Sequence, residues 1–275
     1  KCVEPGTFNN CENLASVTLN EGLEEIGDSA FAGTAITELT MPSTLQKIGI
    51  RAFGGCGLLS LTLNEGLESI EESAFGGCKI KPLTLPSTLK TLGDDAFEAK
   101  VIEGQLPEGL EMISGRFNEN LKVNSNFIMD ENGVIFNKEK TAILATTKDI
   151  AGEYRIPDGI VSIEREAFIG QTISNIIWNQ ELETIGHAAF RDCKNLTSIS
   201  PVPAGVKALH STFRGCSNLE NVVVPGTVET LSGTFSGCKN LTSVTLEEGI
   251  KEINTAFEGC EKLQNVVYPK GCKVN

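Results

Sequence analysis

Aromatic residues are scarce in this chain. Its 275 residues include one tryptophan and two tyrosines, and the aromatic share is 6%. Strong interfaces concentrate their energy in Trp, Tyr and Arg, so no single dominant anchor is expected. Basic residues are also few, 23 Lys and Arg against 36 Asp and Glu, for a formal net charge of -13. Nucleic-acid binding rests on Lys and Arg neutralising phosphates, so that partner class is excluded. No apolar run approaches the ~18 residues of a membrane-spanning helix, and no stretch reads as a secretion signal. Cys-x-x-Cys is absent, and a zinc site normally clusters its ligands in such pairs. Gly-x-Ser-x-Gly, His-Glu-x-x-His, the Walker loop and Gly-x-Gly-x-x-Gly are absent as well. The carboxylates are spread, as in Glu21, Glu24, Glu25, Glu65, Glu68, Glu71 and Glu72. General acid–base work needs a cleft that shifts pKa values. The chain is not expected to be an enzyme, and no cofactor is expected. The spread charge reads as a solvated surface that keeps the protein soluble.

What is present is a beat. Eleven of the thirteen phenylalanines recur at 20 to 23 residues: Phe8, Phe31, Phe53, Phe75, Phe97 and Phe117, then, after a gap of 51, Phe168, Phe190, Phe213, Phe235 and Phe257. A fixed period of this length marks a solenoid, whose repeats bury their apolar faces only against one another. Within a copy, Leu241, Val244 and Leu246 end in strict alternation, the mark of a strand with one buried face. A breaker follows in many copies: Pro42, Pro86, Pro107, Pro157, Pro225, or the Asn-Glu-Gly of 20–22 and 64–66. Proline lacks a ladder donor and glycine relaxes the backbone, so the strand stops there. Two apolar residues three apart come next, such as Leu45 and Ile48 or Leu67 and Ile70, suiting a short extended or helical turn on the far side. The Ala-Phe pair starts the return, and Gly-Cys turns into the next strand.

The copy Leu39-Thr-Met-Pro42, Leu45-Gln-Lys-Ile48 and Ala52-Phe-Gly-Gly-Cys56 resembles the BspA-like (Treponema-type) class of leucine-rich repeats, found on surface proteins of bacteria and some protozoa. The resemblance covers nearly the whole chain. It implies an α/β-type right-handed leucine-rich repeat solenoid, with a parallel β-sheet on the concave face and short turns or helical pieces on the convex face. The Asn ladder that generic leucine-rich repeats carry just after the strand is absent from the pattern. The expected organisation is one solenoid over 1–275, with repeats in 1–121 and 154–275. Between them, Phe127–Asp130, Val134–Asn137 and Thr141–Ala145 read as a β-meander insert over about 122–153, with Asn132-Gly133 as a hairpin turn. Its apolar contacts are expected through Ile128, Val134, Phe136 and Ile143. The repeat pattern is already running at Lys1–Phe8 and again at Cys272, so the expectation is a segment of a longer precursor.

Seven of the nine cysteines sit three residues after a repeat Phe: Cys11, Cys56, Cys78, Cys193, Cys216, Cys238 and Cys260. Stacked side chains point the same way, and a disulfide needs converging Cβ vectors. A buried ladder of free thiols is expected. His187 and His210 both lie three residues before a repeat Phe, in consecutive coils. Two histidines without a third fixed ligand do not make a metal site, and none is expected.

Residues that alternate with the buried strand positions form the candidate binding columns. One holds Thr18, Thr40, Thr62 and Thr84, and continues as Ile177, Ser200, Val223, Thr245 and Val267. Its neighbour holds Ser16, Glu38, Ser60, Asn175, Ser198, Asn221, Ser243 and Asn265. The resemblance implies an extracellular or cell-surface protein that binds a protein or glycan through this sheet. The alternative is a structural spacer presenting another domain. A monomer is expected, with membrane attachment only through an anchor outside this segment.

Overall fold

Apolar residues spaced for one coil per 22 residues leave the backbone a single way to satisfy itself, which is to bond to the same residue one coil away. In a computed structural model that describes residues 1–98 and 100–275, this is what the chain does. It divides into two compact units, residues 1–113 with 117–127, and residues 114–116 with 128–275. Each is a parallel β-solenoid.

In the first unit one strand column runs Cys2–Val3, Glu25–Ile26, Lys47–Ile48, Ser69–Ile70 and Thr91–Leu92, all parallel. The register places Cys2, Glu25, Lys47, Ser69 and Thr91 side by side. The opposite strands of the coils are Glu38–Thr40 beside Ser60–Thr62, and Leu83–Thr84 beside Ile102–Gln105 and Leu121–Lys122. The second unit repeats the scheme. Asn221–Val224, Ser243–Leu246 and Asn265–Val267 form one column, and Ala208–His210, Thr230–Ser232, Glu252–Asn254 and Lys273–Val274 the other.

Among the described residues there is no helix, which corrects the α/β class and the helical convex pieces. The reason is visible at Lys47–Ile48. Gly49 N–H donates to Ile26 O of the preceding coil at 2.8 Å, so the donors a helix would use locally are spent between coils. Two residues before each spine Phe, the backbone also turns left-handed: φ is 53° at Ser29, 54° at Arg51 and 53° at Ser73. A left-handed non-glycine residue costs roughly 1–2 kcal/mol and stops any helix. The cost is offset by inter-coil bonds such as Ser29 N–H to Ile50 O at 2.8 Å.

The phenylalanines stack in both units. Phe31 and Phe53 lie 5.2 Å apart with rings 3° from parallel, and Phe53 and Phe75 lie 5.3 Å apart at 1°. The second stack runs from Phe168 to Phe257 at 5.0 to 5.9 Å. Tyr154 opens it, tilted on Phe168 at 5.0 Å. Trp178 meets Phe190 edge-on at 5.6 Å and is buried. Its Nε1–H donates to Ser200 O at 3.0 Å, so the only tryptophan is a core residue.

All nine cysteines are free, as the spacing predicts. The thiols have a definite task. Cys78 Sγ donates to Phe53 O at 3.1 Å, and Cys193, Cys216, Cys238 and Cys260 repeat the bond to Phe168, Phe190, Phe213 and Phe235 at 3.1 to 3.3 Å. The Phe53 carbonyl already accepts Cys56 N–H at 3.1 Å, so the thiol fills its second lone pair. Burial pushes the Cys78, Cys193 and Cys238 thiols up to about 12. A thiol pKa raised in the folded state stabilises fully below the unfolded value of 9.0 and loses that contribution as pH rises toward 12. Stability should therefore decline above pH 9, and the decline should be shallower in Cys193→Ala, as urea midpoints against pH would show. Iodoacetamide at pH 8 should label exposed Cys11 in the folded protein and leave Cys193 and Cys238 unlabelled.

Asparagine after the strand ties some scattered coils to the preceding one. Asn64 Nδ2–H donates to Ser43 O and Leu45 O at 3.2 and 2.9 Å. Asn124 does the same to Pro107 O and Leu110 O, and Asn179 to Pro157 O and Ile160 O. These asparagines never fall in consecutive coils, since prolines such as Pro86 and Pro107 occupy successive ones, so a continuous Asn ladder is absent as read.

The insert is not an appendage. Val134–Asn137 pairs antiparallel with Ala142–Thr146, as expected. Ala142–Thr146 is wholly buried and pairs in parallel with Ser162–Ile163, and with Gly115–Arg116. It therefore serves as a rung of the second unit. Val134, Phe136 and Ile143 join the core of that unit, while Ile128 is only part-buried. Arg116 fastens this region, pairing with Asp149 and donating to the carbonyls of Ile169 and Gly170.

Candidate functional site

Side chains on a strand alternate, so half of each open strand faces away from the core. Thr40 and Thr62 lie in register on neighbouring strands, both exposed. Thr18 is exposed just outside the strands and lines a shallow groove with Glu38, Thr40 and Pro42. Thr84 is exposed but stands beside Glu103, so the threonine column ends there. Gly104 follows with a φ of 78°, and a methyl added to it would lie 2.7 Å from Thr84 Cγ2.

In the second unit the columns align as read. Asn221, Ser243 and Asn265 are register partners, and so are Val223, Thr245 and Val267. Ser198 bridges to Asn221. Asn175 and Ile177 lie on Thr172–Ile177, part-buried, beside Glu153 and Arg155. Those two were missed, because Ala151–Arg155 carries a glycine and no alternating apolar pattern until Tyr154. Asn175 Nδ2–H donates to Glu153 Oε2 at 2.9 Å. Asn221 Oδ1 accepts from Ser243 Oγ at 2.8 Å and Thr242 Oγ1 at 3.2 Å. These bonds hold the amides in fixed orientations. Val223 and Val267 are 42% and 59% exposed, high for aliphatic side chains on a sheet.

The turns carry the acids. Glu21 accepts from Ser43 N–H at 3.0 Å and Ser43 Oγ at 2.8 Å, which lowers its pKa. One oxygen of Glu65 accepts from both Ser87 N–H and Ser87 Oγ, at 3.0 and 2.7 Å. Their carboxylates lie at the ends of the strands and pin adjacent turns together. His187 and His210 are exposed in consecutive coils. Among the described residues no three His, Cys, Asp or Glu side chains gather as for a metal.

The sequence matches the BspA type Leucine rich repeat region in six copies, over residues 1–100, 24–138 and 161–274. The chain belongs to the BspA-type leucine-rich repeat family. No catalytic family is indicated. Among solved structures, this BspA-type chain is similar to a leucine rich cell surface protein from Faecalibacterium prausnitzii, at 22% identity and a TM-score of 0.69, covering 98% of this chain and 69% of that one. The pneumococcal vaccine antigen PcpA is similar at 23% identity and a TM-score of 0.64, covering 100% and 71%. A leucine-rich repeat protein from Eubacterium ventriosum follows the same course at 25% identity and a TM-score of 0.65, covering 93% and 79%. No curated protein matches the sequence.

Proposed function

We propose that this BspA-type chain is an extracellular or cell-surface interaction module that binds a protein or glycan through the open strand columns. One observation carries the reading. In a chain of net charge -13, the columns Asn175–Asn265 and Ile177–Val267 hold only amide, hydroxyl and aliphatic side chains, aligned by register. Charge is kept off this run of strands and resumes one strand away, at Glu153 and Arg155. Family membership and the cell-surface neighbour agree with this reading. Many weak contacts along a ladder suit multivalent engagement better than a single tight pocket.

The spacer reading has its own support in the uninterrupted Phe stacks and thiol ladders, which make each unit a self-consistent stack whether or not a ligand binds. One experiment separates the two. The purified chain is screened against extracellular-matrix proteins and a glycan array. It is compared with Thr40→Lys/Thr62→Lys/Thr84→Lys and with Val223→Lys. Binding lost in either variant supports the module and names its unit. No binding by any of the proteins leaves the spacer.

A further inference from the structure

Within the second unit the two open columns alternate together. Asn175 with Ile177, Asn221 with Val223 and Asn265 with Val267 put an amide beside an aliphatic side chain in every second coil. The coils between them carry Ser198 with Ser200 and Ser243 with Thr245, hydroxyls only. The first unit does not show this pattern: its corresponding pairs are Ser16 with Thr18, Glu38 with Thr40 and Ser60 with Thr62. Parallel strands lie ~4.8 Å apart, so the amide–aliphatic pair recurs every ~9.6 Å along the stack.

That distance selects among ligands. An extended peptide presents the same face every two residues, about 6.7 Å, and falls out of step with the pairs. A β-1,4-linked glycan turns each sugar by half a revolution from the last. Its pattern therefore repeats every second sugar, over nearly the two-coil distance. If each sugar bears an N-acetyl group, one acetamido group in two faces the sheet. An acetamido group has a donor, an acceptor and a methyl, which are the complements of an asparagine beside a valine. The intervening sugar presents hydroxyls to Ser198, Ser200, Ser243 and Thr245. From Asn175 to Asn265 the columns hold no ionisable side chain, the charged pair Glu153 and Arg155 lying one strand beyond, and this run matches an uncharged polymer. The Asn221 carboxamide oxygen is already occupied by Ser243 and Thr242, leaving its Nδ2–H for a ligand carbonyl.

We propose that the open face of the second unit binds an uncharged β-1,4-linked N-acetylglucosamine chain lying across the coils, one disaccharide to two coils. This rests on the reading of that face as a binding surface. The aliphatic side chains stand where glycan sites often place aromatic rings, so single-coil contacts are weak and affinity builds with length.

The test is calorimetry of the full chain with N-acetylglucosamine β-1,4 oligomers of two and six sugars, and with the six-sugar glucose analogue that lacks N-acetyl groups. The hexamer should bind at least about tenfold tighter than the dimer and the glucose chain, a difference of roughly 1.4 kcal/mol. Val223→Lys and Asn221→Asp, both at exposed positions, should each weaken it about tenfold. Hexamer binding that is equal for the dimer, or unaffected by both variants, would overturn the assignment. So would absence of hexamer binding alongside a matrix protein that binds through Val223, and in that case the interaction-module reading survives. If nothing binds, both fall.

Discussion

Phe213→Ala should cost about 3–5 kcal/mol, the usual range for emptying a buried phenylalanine site. Phe213 is fully buried, with Phe190 at 5.9 Å on one side and Phe235 at 5.8 Å on the other. Neither neighbour can move in to fill the space, because each ring is fixed by its own coil. Phe190 N–H is bonded to Thr212 O, and Phe213 N–H to Thr234 O, at 3.0 Å. In a stack where each coil touches only its neighbours, the loss falls on two coil–coil interfaces at once. Urea unfolding should therefore show a lower midpoint, together with a smaller m-value if the two sides of the second unit uncouple. Phe8 is the internal control. It stacks on Phe31 at 5.1 Å but is 36% exposed, so Phe8→Ala should cost under about 1.5 kcal/mol. Equal costs at the two positions would mean that the spine does not carry the stability assigned to it.

Gln171→Cys should destabilise the second unit by about 2–4 kcal/mol, since each buried polar group left unpaired costs roughly 1–3. The substitution restores the residue that the repeat prefers three positions after Phe. Its penalty comes from what the structure asks of this one coil. Gln171 is 1% exposed. Its Oε1 accepts Ile150 N–H at 2.7 Å, and its Nε2–H groups donate to Thr146 Oγ1 at 2.8 Å and Lys148 O at 3.2 Å. Thr146 in turn donates to Ala167 O at 2.9 Å. A cysteine is too short to reach Ile150 and cannot donate twice. Hydrogen exchange should report the damage locally, with faster exchange over 142–150 and little change near Phe235. Gln171→Glu, which keeps the acceptor but turns a buried carboxylate oxygen toward the Lys148 carbonyl, should cost at least as much. A Gln171→Cys protein as stable as the parent would refute this role.

These two positions also show where legibility ends. Phe213 was readable because its period repeats down the chain, and the same holds for the thiols and the alternating columns from Thr40 to Val267. Gln171 was not readable, because it breaks the period, and its partners lie in the insert 21 to 25 residues away. At Leu45–Ile48 the sequence left an extended and a helical turn open, and the structure takes the extended one. Two apolar residues three apart fit a helical turn and a coil of short strands equally well, and only the inter-coil bonds distinguish them. The single Asn bonds to the preceding coil were not legible for a similar reason. Asn64, Asn124 and Asn179 fall in alternate or irregular coils, and their acceptors are carbonyls, which every residue has.

By itself, then, the sequence determined the repeat, the buried Phe and Cys columns, the meander strands and the family. Each is a periodic or local pattern, and stacking turns a period directly into a core. Tertiary structure alone decided that the far side is extended. It also made Ala142–Thr146 a rung of the solenoid, and gave Gln171 and Arg116 the work of joining that rung to its neighbours. Those outcomes depend on which backbone donors remain unpaired once the coils have closed, and that can be counted only when the coils are in place.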